Sequence, residues 1–347
     1  MKKRRILFIA SLPSKKHHLD GERNKSGIVF ECIRKMGFHV DSIDYTRNKY
    51  FQTLKLLFFA VFKTYDYVFI SKCAVGGSVA LHLILLFAKR KNKKNIIFYL
   101  IGNGFKGFEN KIKHKEDFKQ CYKMIVESQI VVDEMNNYGI GNCAIFPCIK
   151  EIPNIDVLEK HYSDDETLKL IFFSRITKNK GLSDAIEAVQ TINKNQKKYT
   201  LDIAGGVSIE EKQYEKSVIQ ICDSDPNINY FGESFFINGI DSYKRLQQYD
   251  LHIFPSRFFQ ECAPGSIIDM FIAGIPTISS EFENAHNILN KDNSYFFAFN
   301  NLEDLIEKLE YIYSHKQELN KKRSLSHLEA NKYSDASFIH FLEGLIN

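Results

Sequence analysis

Glu261 and Asp269 are carboxylates separated by seven residues in the stretch Pro255-Ser-Arg-Phe-Phe-Gln-Glu261-Cys-Ala-Pro264-Gly265-Ser266-Ile-Ile-Asp269. Between them, Pro264-Gly265-Ser266 reads as the start of a helix, because proline fits the first helical position, where its missing N–H removes no bond. The amides of Gly265, Ser266 and Ile267 then point out of the helix start and make an anion site of the kind a diphosphate occupies. Glu261 falls in the loop before that helix. Asp269 lies about five residues into it, roughly 7 Å along the axis, so one acid reaches each side of a bound diphosphate.

A pair of cations stands upstream. The apolar run Leu168-Lys-Leu-Ile-Phe-Phe173 is followed by Ser174-Arg175-Ile-Thr-Lys178-Asn-Lys180-Gly181 and then by a helical pattern. Two cations in a polar loop read by themselves as solvated surface. Taken with the acidic pair downstream, Arg175 and Lys180 become candidates for meeting negative charge that builds on a departing phosphate. Between the two motifs run Tyr199-Thr-Leu-Asp-Ile-Ala204-Gly205-Gly206, a long charged helix, Ile228-Asn-Tyr-Phe231-Gly232-Glu233, a shorter helix and Leu251-His-Ile-Phe254. Short apolar strands alternating with helices imply a parallel sheet with crossover helices. A glycine pair at a strand end is, by itself, a turn.

The spaced acids together with strand, Arg175, four residues, Lys180-Gly181 and helix resemble the retaining glycosyltransferases of family 4, the glycosyl transferases of group 1 with the GT-B fold. That resemblance implies an α/β chain of two doubly wound Rossmann-like domains facing a cleft, with a C-terminal helix crossing back to the first domain. It implies that Glu261 binds donor-sugar hydroxyls and that Asp269, where the family has Glu, binds the nucleotide ribose. Gly205, Gly206, Phe231, Ala263, Gly265, Ser266 and Ile267 complete the donor site on the same ground. Cys262-Ala263-Pro264 departs from the family's Gly, large apolar residue and Pro. No metal or other cofactor is needed for the family's chemistry, the nucleotide sugar being a substrate.

The 347 residues suffice for two cored domains. The halves differ in charge. Residues 1–150 carry 27 Lys and Arg against 12 Asp and Glu, a net of +15, whereas residues 151–347 carry 20 against 30, a net of −10. A basic half points to an anionic partner, membrane surface or nucleic acid, and no aromatic-basic motif favours nucleic acid. Ile6–Ala10 is too short for a signal peptide's apolar region and reads as a first strand, so the chain is expected in the cytoplasm. The run Val79–Ala88 is about half the ~20 residues a spanning helix needs. Seven cysteines without a Cys-x-x-Cys pair suit reduced thiols, and no histidines, His17-His18 included, stand at zinc-like spacing with cysteines.

The first half reads as strand Ile6–Ala10, a loop Ser11–Lys25, helix Ser26–Met36, strand His39–Asp44 and a helix over 51–63. Strand Tyr67–Ser71, helix Gly77–Arg90, strand Asn95–Leu100, strand Lys123–Val126, helix Val131–Tyr138 and strand Ala144–Phe146 follow. Domains are expected at 1–155 and 156–332, with a polar linker at about 149–166 and a last helix in 333–347. Two loops are candidates for the acceptor side: the first with Gly21, Lys25 and Gly27 at its end, the second carrying Gly102, Asn103 and Gly104. Both also read as plain glycine turns. Many relatives carry a histidine at the second loop, where this chain has Asn103. The apolar segments 53–62 and 79–88, the latter followed by Lys89-Arg-Lys-Asn-Lys-Lys94, admit a membrane reading, but local pattern favours buried crossover helices with a solvated basic end.

The chain therefore reads as a retaining transferase moving a hexose or related sugar from a nucleotide donor, uridine-linked, to a lipid-linked glycan acceptor in bacterial surface-polysaccharide synthesis. It would sit peripherally on the inner face of the cell membrane. A GT-B nucleotide-sugar 2-epimerase and a non-catalytic partner subunit remain as alternatives.

Overall fold

A computed structural model describes residues 4–13, 21–106, 108–235 and 239–346. The chain divides into two compact units, Met1–Glu151 with Tyr333–Asn347, and Ile152–Lys332. The histidine pair 17–18 and much of the loop before Gly21 lie outside the described residues.

The first unit is a six-stranded sheet of β1 (Arg5–Ala10), β2 (His39–Asp44), β3 (Tyr67–Lys72), β4 (Ile96–Leu100), β5 (Lys123–Val126) and β6 (Cys143–Ile145), in the order β2-β1-β3-β4-β5-β6. Every pairing is parallel. Continuous apolar runs such as Ile6–Ala10 and Ile96–Leu100 are buried along their whole length, as a sheet covered on both faces requires. The connections are α1 (Gly21–Lys35), α2 (Lys49–Phe62), α3 (Ala74–Phe87), α4 (Arg90–Lys94) and α5 (Gln129–Asn137). Asn48 and Ser128 cap α2 and α5 by accepting from the Phe51 and Val131 N–H groups at 3.2 and 3.4 Å.

Two expectations shift here. The helix expected from Ser26 begins at Gly21, because Glu22 falls in the first turn, where its charge suits the helix dipole, and accepts the Cys73 N–H at 3.2 Å. The helix expected over Gly77–Arg90 stops at Phe87, where Ala88 turns extended with ψ 154°, and the basic run forms a separate short helix. The last helix, Asp335–Ile346, belongs to this unit. Its Phe338 and Leu342 join Phe8, Phe69, Ile97 and Tyr99 in one core, and Phe338 meets Phe146 edge-on at 4.8 Å.

The second unit contains β7 (Leu168–Phe173), α6 (Leu182–Asn193), β8 (Tyr199–Ala204), α7 (Lys212–Ser224), β9 (Ile228–Gly232), α8 (Ile240–Leu246) and β10 (Leu251–Phe254). It continues with α9 (Gly265–Ala273), β11 (Thr277–Ser280), α10 (Ala285–Ile288), β12 (Ser294–Phe297), α11 (Leu302–Ser314) and α12 (Glu318–Ala330). Its parallel sheet has the order β12-β11-β10-β7-β8-β9, so the winding reverses between β7 and β10. The loops after these two strands therefore flank the point where open α/β sheets bind ligands.

The stretch expected as a linker is tied down. Lys160 Nζ reaches Asp250 Oδ1 at 2.6 Å and Gln247 donates to the Asp156 carbonyl at 2.6 Å. Arg323, fully buried on α12, donates to the carbonyls of Leu158, Tyr249 and Gln247 at 2.9, 2.8 and 2.9 Å. These bonds satisfy a guanidinium that would otherwise be costly to bury.

Candidate active site

The loops after β7 and β10 are laced together. Gly181 has φ +72°, and a Cβ there would stand 1.7 Å from the Pro255 carbonyl oxygen. Arg257 N–H donates to the Asn179 carbonyl at 2.9 Å, and its side chain pairs with Asp184 on the first turn of α6, Nε to Oδ2 at 2.8 Å. Gly205, after β8, closes on the loop after β7 in the same way, since a Cβ there would meet the Ser174 carbonyl at 1.7 Å. The close approach at Gly205 is thus backbone to backbone.

That lacing brings two of the sequence-read residues into contact. Lys180, from the β7 loop, forms an ion pair with Glu261 Oε1 from the β10 loop, and Ser256 Oγ donates to the same oxygen at 3.2 Å. Glu261 is buried and Lys180 largely so. Lys180 Nζ also lies 5.5 Å from the centre of the Phe254 ring. Arg175 does not join this pair; it is exposed and makes no ion pair among the described residues. Ser256 and the Asp184–Arg257 pair were not singled out from sequence, and no spacing rule signals them.

Downstream, α9 starts at Gly265 with Pro264 as its cap residue, φ −62° and ψ 114°, one place earlier than expected for the proline. No side chain among the described residues caps this end. The Ile267 N–H bonds the Pro264 carbonyl at 3.1 Å, so of the three amides expected to be free, Ile267's is used within the first turn. Asp269 is the fifth residue of α9, half-buried, and accepts from the Tyr243 hydroxyl at 3.1 Å. Asn284 donates to the Cys262 carbonyl and pins the loop before the helix, leaving Ala263 and Ser266 partly open. Phe231 packs edge-on to Phe235, with the Arg245 guanidinium 5.2 Å above its ring. Gly206 bonds through its carbonyl to the Ile176 N–H at 2.9 Å, one residue beyond Arg175.

In the first unit the strand ends carry two further polar clusters. Lys72, closing β3, donates to Ser11 Oγ at 2.7 Å and reaches Glu22 at 3.3 Å. Burial disfavours the Glu22 carboxylate, but Lys72 and the Cys73 amide outweigh it and hold the group below its usual range. Lys25, on α1 and not in a loop, pairs with Glu127 Oε1 at 2.5 Å, while Tyr99 OH donates to the same oxygen at 3.2 Å and the Gly102 N–H to Oε2 at 3.2 Å. Burial works against the Lys25 ammonium, yet Cys148 and Glu127 keep its pKa above the ordinary value.

Gly102 and Gly104 have φ +96° and +72°, and a Cβ at Gly104 would fall 2.0 Å from Glu134 Oε2, which leaves Asn103 exposed at the tip of a glycine turn. Gly21 and Gly27 are helical, and Gly27 makes room for the Pro13 ring. Sequence reading saw no histidine cluster, but His82, His114 and Asp117 converge within 4.8 Å. The His82 and His114 imidazoles stack with centroids 3.5 Å apart and 6° between planes, so their in-plane lone pairs lie in separate, nearly parallel planes.

Two doubly wound parallel units, with a cation–carboxylate pair at the winding reversal of the second, have the architecture of the GT-B fold. Residues 155–326 match the family model described as "Glycosyl transferases group 1". Similar solved structures include HepE of Anabaena in complex with UDP and glucose, at 13% identity and TM-score 0.69 over 98% of both chains. Sucrose-phosphate synthase from Thermosynechococcus elongatus gives 12% identity and TM-score 0.70 over 99% of this chain and 98% of that one. The lipopolysaccharide outer core galactosyltransferase WaaB, apo form, gives 12% and 0.68 over 99% of each. No curated protein matches the chain.

Proposed function

We propose that this chain transfers a hexose or related sugar, with retention, from a uridine-linked nucleotide sugar to a lipid-linked glycan acceptor in the synthesis of a bacterial surface polysaccharide. The observation that carries the reading is the Lys180–Glu261 pair between the loops of β7 and β10. A buried carboxylate held by Lys180 and Ser256 has fixed lone pairs to offer sugar hydroxyls, and the lysine supplies positive charge beside it. Arg175, unpaired with any acid among the described residues, is the second cation for the diphosphate, and together the two supply charge stabilisation without a metal. The uncapped start of α9 accepts phosphate oxygens at Gly265 and Ser266, and Asp269, oriented by Tyr243, binds the ribose. The Asn103 turn and the Lys25–Glu127 cluster belong to the acceptor side.

In the step proposed, the acceptor oxygen attacks the anomeric carbon from the face the phosphate leaves. The carbon–phosphate oxygen bond breaks, and the acceptor proton passes to the departing phosphate. Support for the donor comes from HepE and from S. aureus TarM, both solved with UDP, and for a lipid-borne glycan from WaaB.

The test is calorimetric titration with a panel of UDP-, GDP- and dTDP-sugars, followed by proton NMR of the product made with the donor that binds. An α-donor giving an α-glycoside supports the reading. A 2-epimer formed without acceptor makes the chain an epimerase, and absence of any donor binding makes it a partner subunit.

A further inference from the structure

The outer face of α2 is as apolar as its inner face. Gln52, Leu56, Phe59 and Ala60 turn inward and are buried. Tyr50, Phe51, Leu54, Phe58 and Phe62 are each more than half exposed, with Val61 beside them. They recur at three- and four-residue intervals, which places them along one stripe. This overturns, for α2, the expectation of a buried crossover helix. The stripe continues onto α3, whose Leu86 and Phe87 are exposed where the chain turns back to α2, and the Lys89 ammonium donates to the Phe62 carbonyl at 3.0 Å. Exposed apolar patches of this extent mark interaction sites.

The charge around the stripe is predominantly positive, with Arg47 and Lys63 at the ends of α2 paired with Asp44 and Asp41 at 3.3 and 3.1 Å. From Tyr45 to Phe108 the sequence has eleven Lys and Arg and a single acid, Asp66. That acid is already engaged, accepting the Arg5 N–H at 2.7 Å and pairing with Lys91 at 2.9 Å. Lys49 is exposed at one end of α2, and Lys89, Arg90 and Lys94 at the other. No helix among the described residues is long and apolar enough to cross a membrane.

We infer that α2, with the end of α3, is a bilayer-docking element that lies in the interface of an anionic membrane, its aromatic and leucine side chains among the acyl chains and its basic rim on the headgroups. An apolar helix face with a basic border has the chemistry of such a surface. A second copy on this face would set two basic rims against each other across a two-fold axis, which charge disfavours. The inference deepens the proposed function, since it rests on an acceptor carried by lipid, but it has its own readout.

The chain contains no tryptophan, so Phe58→Trp gives a single reporting indole. With vesicles of phosphatidylcholine plus phosphatidylglycerol, its emission should shift to the blue and be quenched by lipids brominated along the acyl chain. Phe51→Ser, Leu54→Ser and Phe58→Ser combined should lower vesicle partitioning at least about tenfold, scaling with the apolar area no longer inserted. These side chains are exposed, so unchanged far-UV circular dichroism and donor binding are expected. Equal cosedimentation of wild type and triple variant, or no blue shift, overturns the docking role. So does a dimer in lipid-free solution that the triple variant dissolves. Loss of donor binding in the wild type would count against the transferase reading and leave the vesicle result standing.

Discussion

Lys180 and Glu261, 81 residues apart in the chain, form one ion pair that joins the loops after β7 and β10, with Ser256 sharing the carboxylate. On the proposed function, the pair makes sugar orientation and phosphate stabilisation one unit, so a change at either residue should alter the charge the other presents to the donor.

Glu261→Ala should therefore separate binding from chemistry. Removing the carboxylate frees the Lys180 ammonium for the diphosphate, so affinity for the nucleoside diphosphate should equal or exceed that of wild type. Transfer should fall at least about tenfold, because a hydrogen bond to a charged group contributes about 1.5–3 kcal/mol. Calorimetry and initial rates measure the two effects, and undiminished transfer would remove Glu261 from the site.

Arg175→Ala and Lys180→Ala should each weaken nucleoside diphosphate binding. The double variant should lose less than the sum, since both cations are proposed to meet one anion. Lys180→Ala should be the more damaging of the two, because it leaves the buried Glu261 carboxylate without its cation, whereas Arg175 is exposed. Full additivity would place the two side chains on different groups.

Gly181→Ala tests the seam between the loops. A Cβ there meets the Pro255 carbonyl at 1.7 Å from a backbone with φ +72°, and neither atom is the end of a flexible side chain. Backbone strain of this kind costs about 1–3 kcal/mol before any displacement of the loop is counted. The expected result is a lower melting temperature together with weakened transfer; a variant as stable and active as wild type would mean the loops can part without consequence.

The alternation of strands and helices was legible because parallel strands are buried on both faces and read as apolar runs, as at Leu168–Phe173 and Ile96–Leu100. The strands Thr277–Ser280 and Ser294–Phe297 were not read, the first having two serines and a threonine in four residues. Glu261, Lys180 and Asp269 stood out through their spacing, but the contact between the first two comes from the order of strands in the sheet, which spacing does not encode. The outer face of α2 was misjudged for a related reason. Apolar residues on both sides of a helix look the same in sequence whether a neighbour covers them or not.

The last prediction concerns acid. His252 on β10 is wholly buried, its Nδ1 lies 3.2 Å from Thr277 Oγ1, and its Nε2 has no partner among the described residues. Burial alone pushes its pKa down from 6.5 to about 3. The unfolded chain therefore takes up a proton that the folded one refuses. Stability tied to this residue is complete above pH 6.5, falls as the pH drops below that value, and stops falling near pH 3. Over that window the slope is about 1.4 kcal/mol per pH unit, so at pH 5 the protein should have lost roughly 2 kcal/mol through this one group. His252→Gln keeps a polar contact for Thr277 and does not titrate. Denaturant unfolding at pH 7 and pH 5 should show the variant losing less stability than wild type between the two values by about that amount. Equal losses would mean that His252 gains a proton without unfolding the strand that leads into the Glu261 loop.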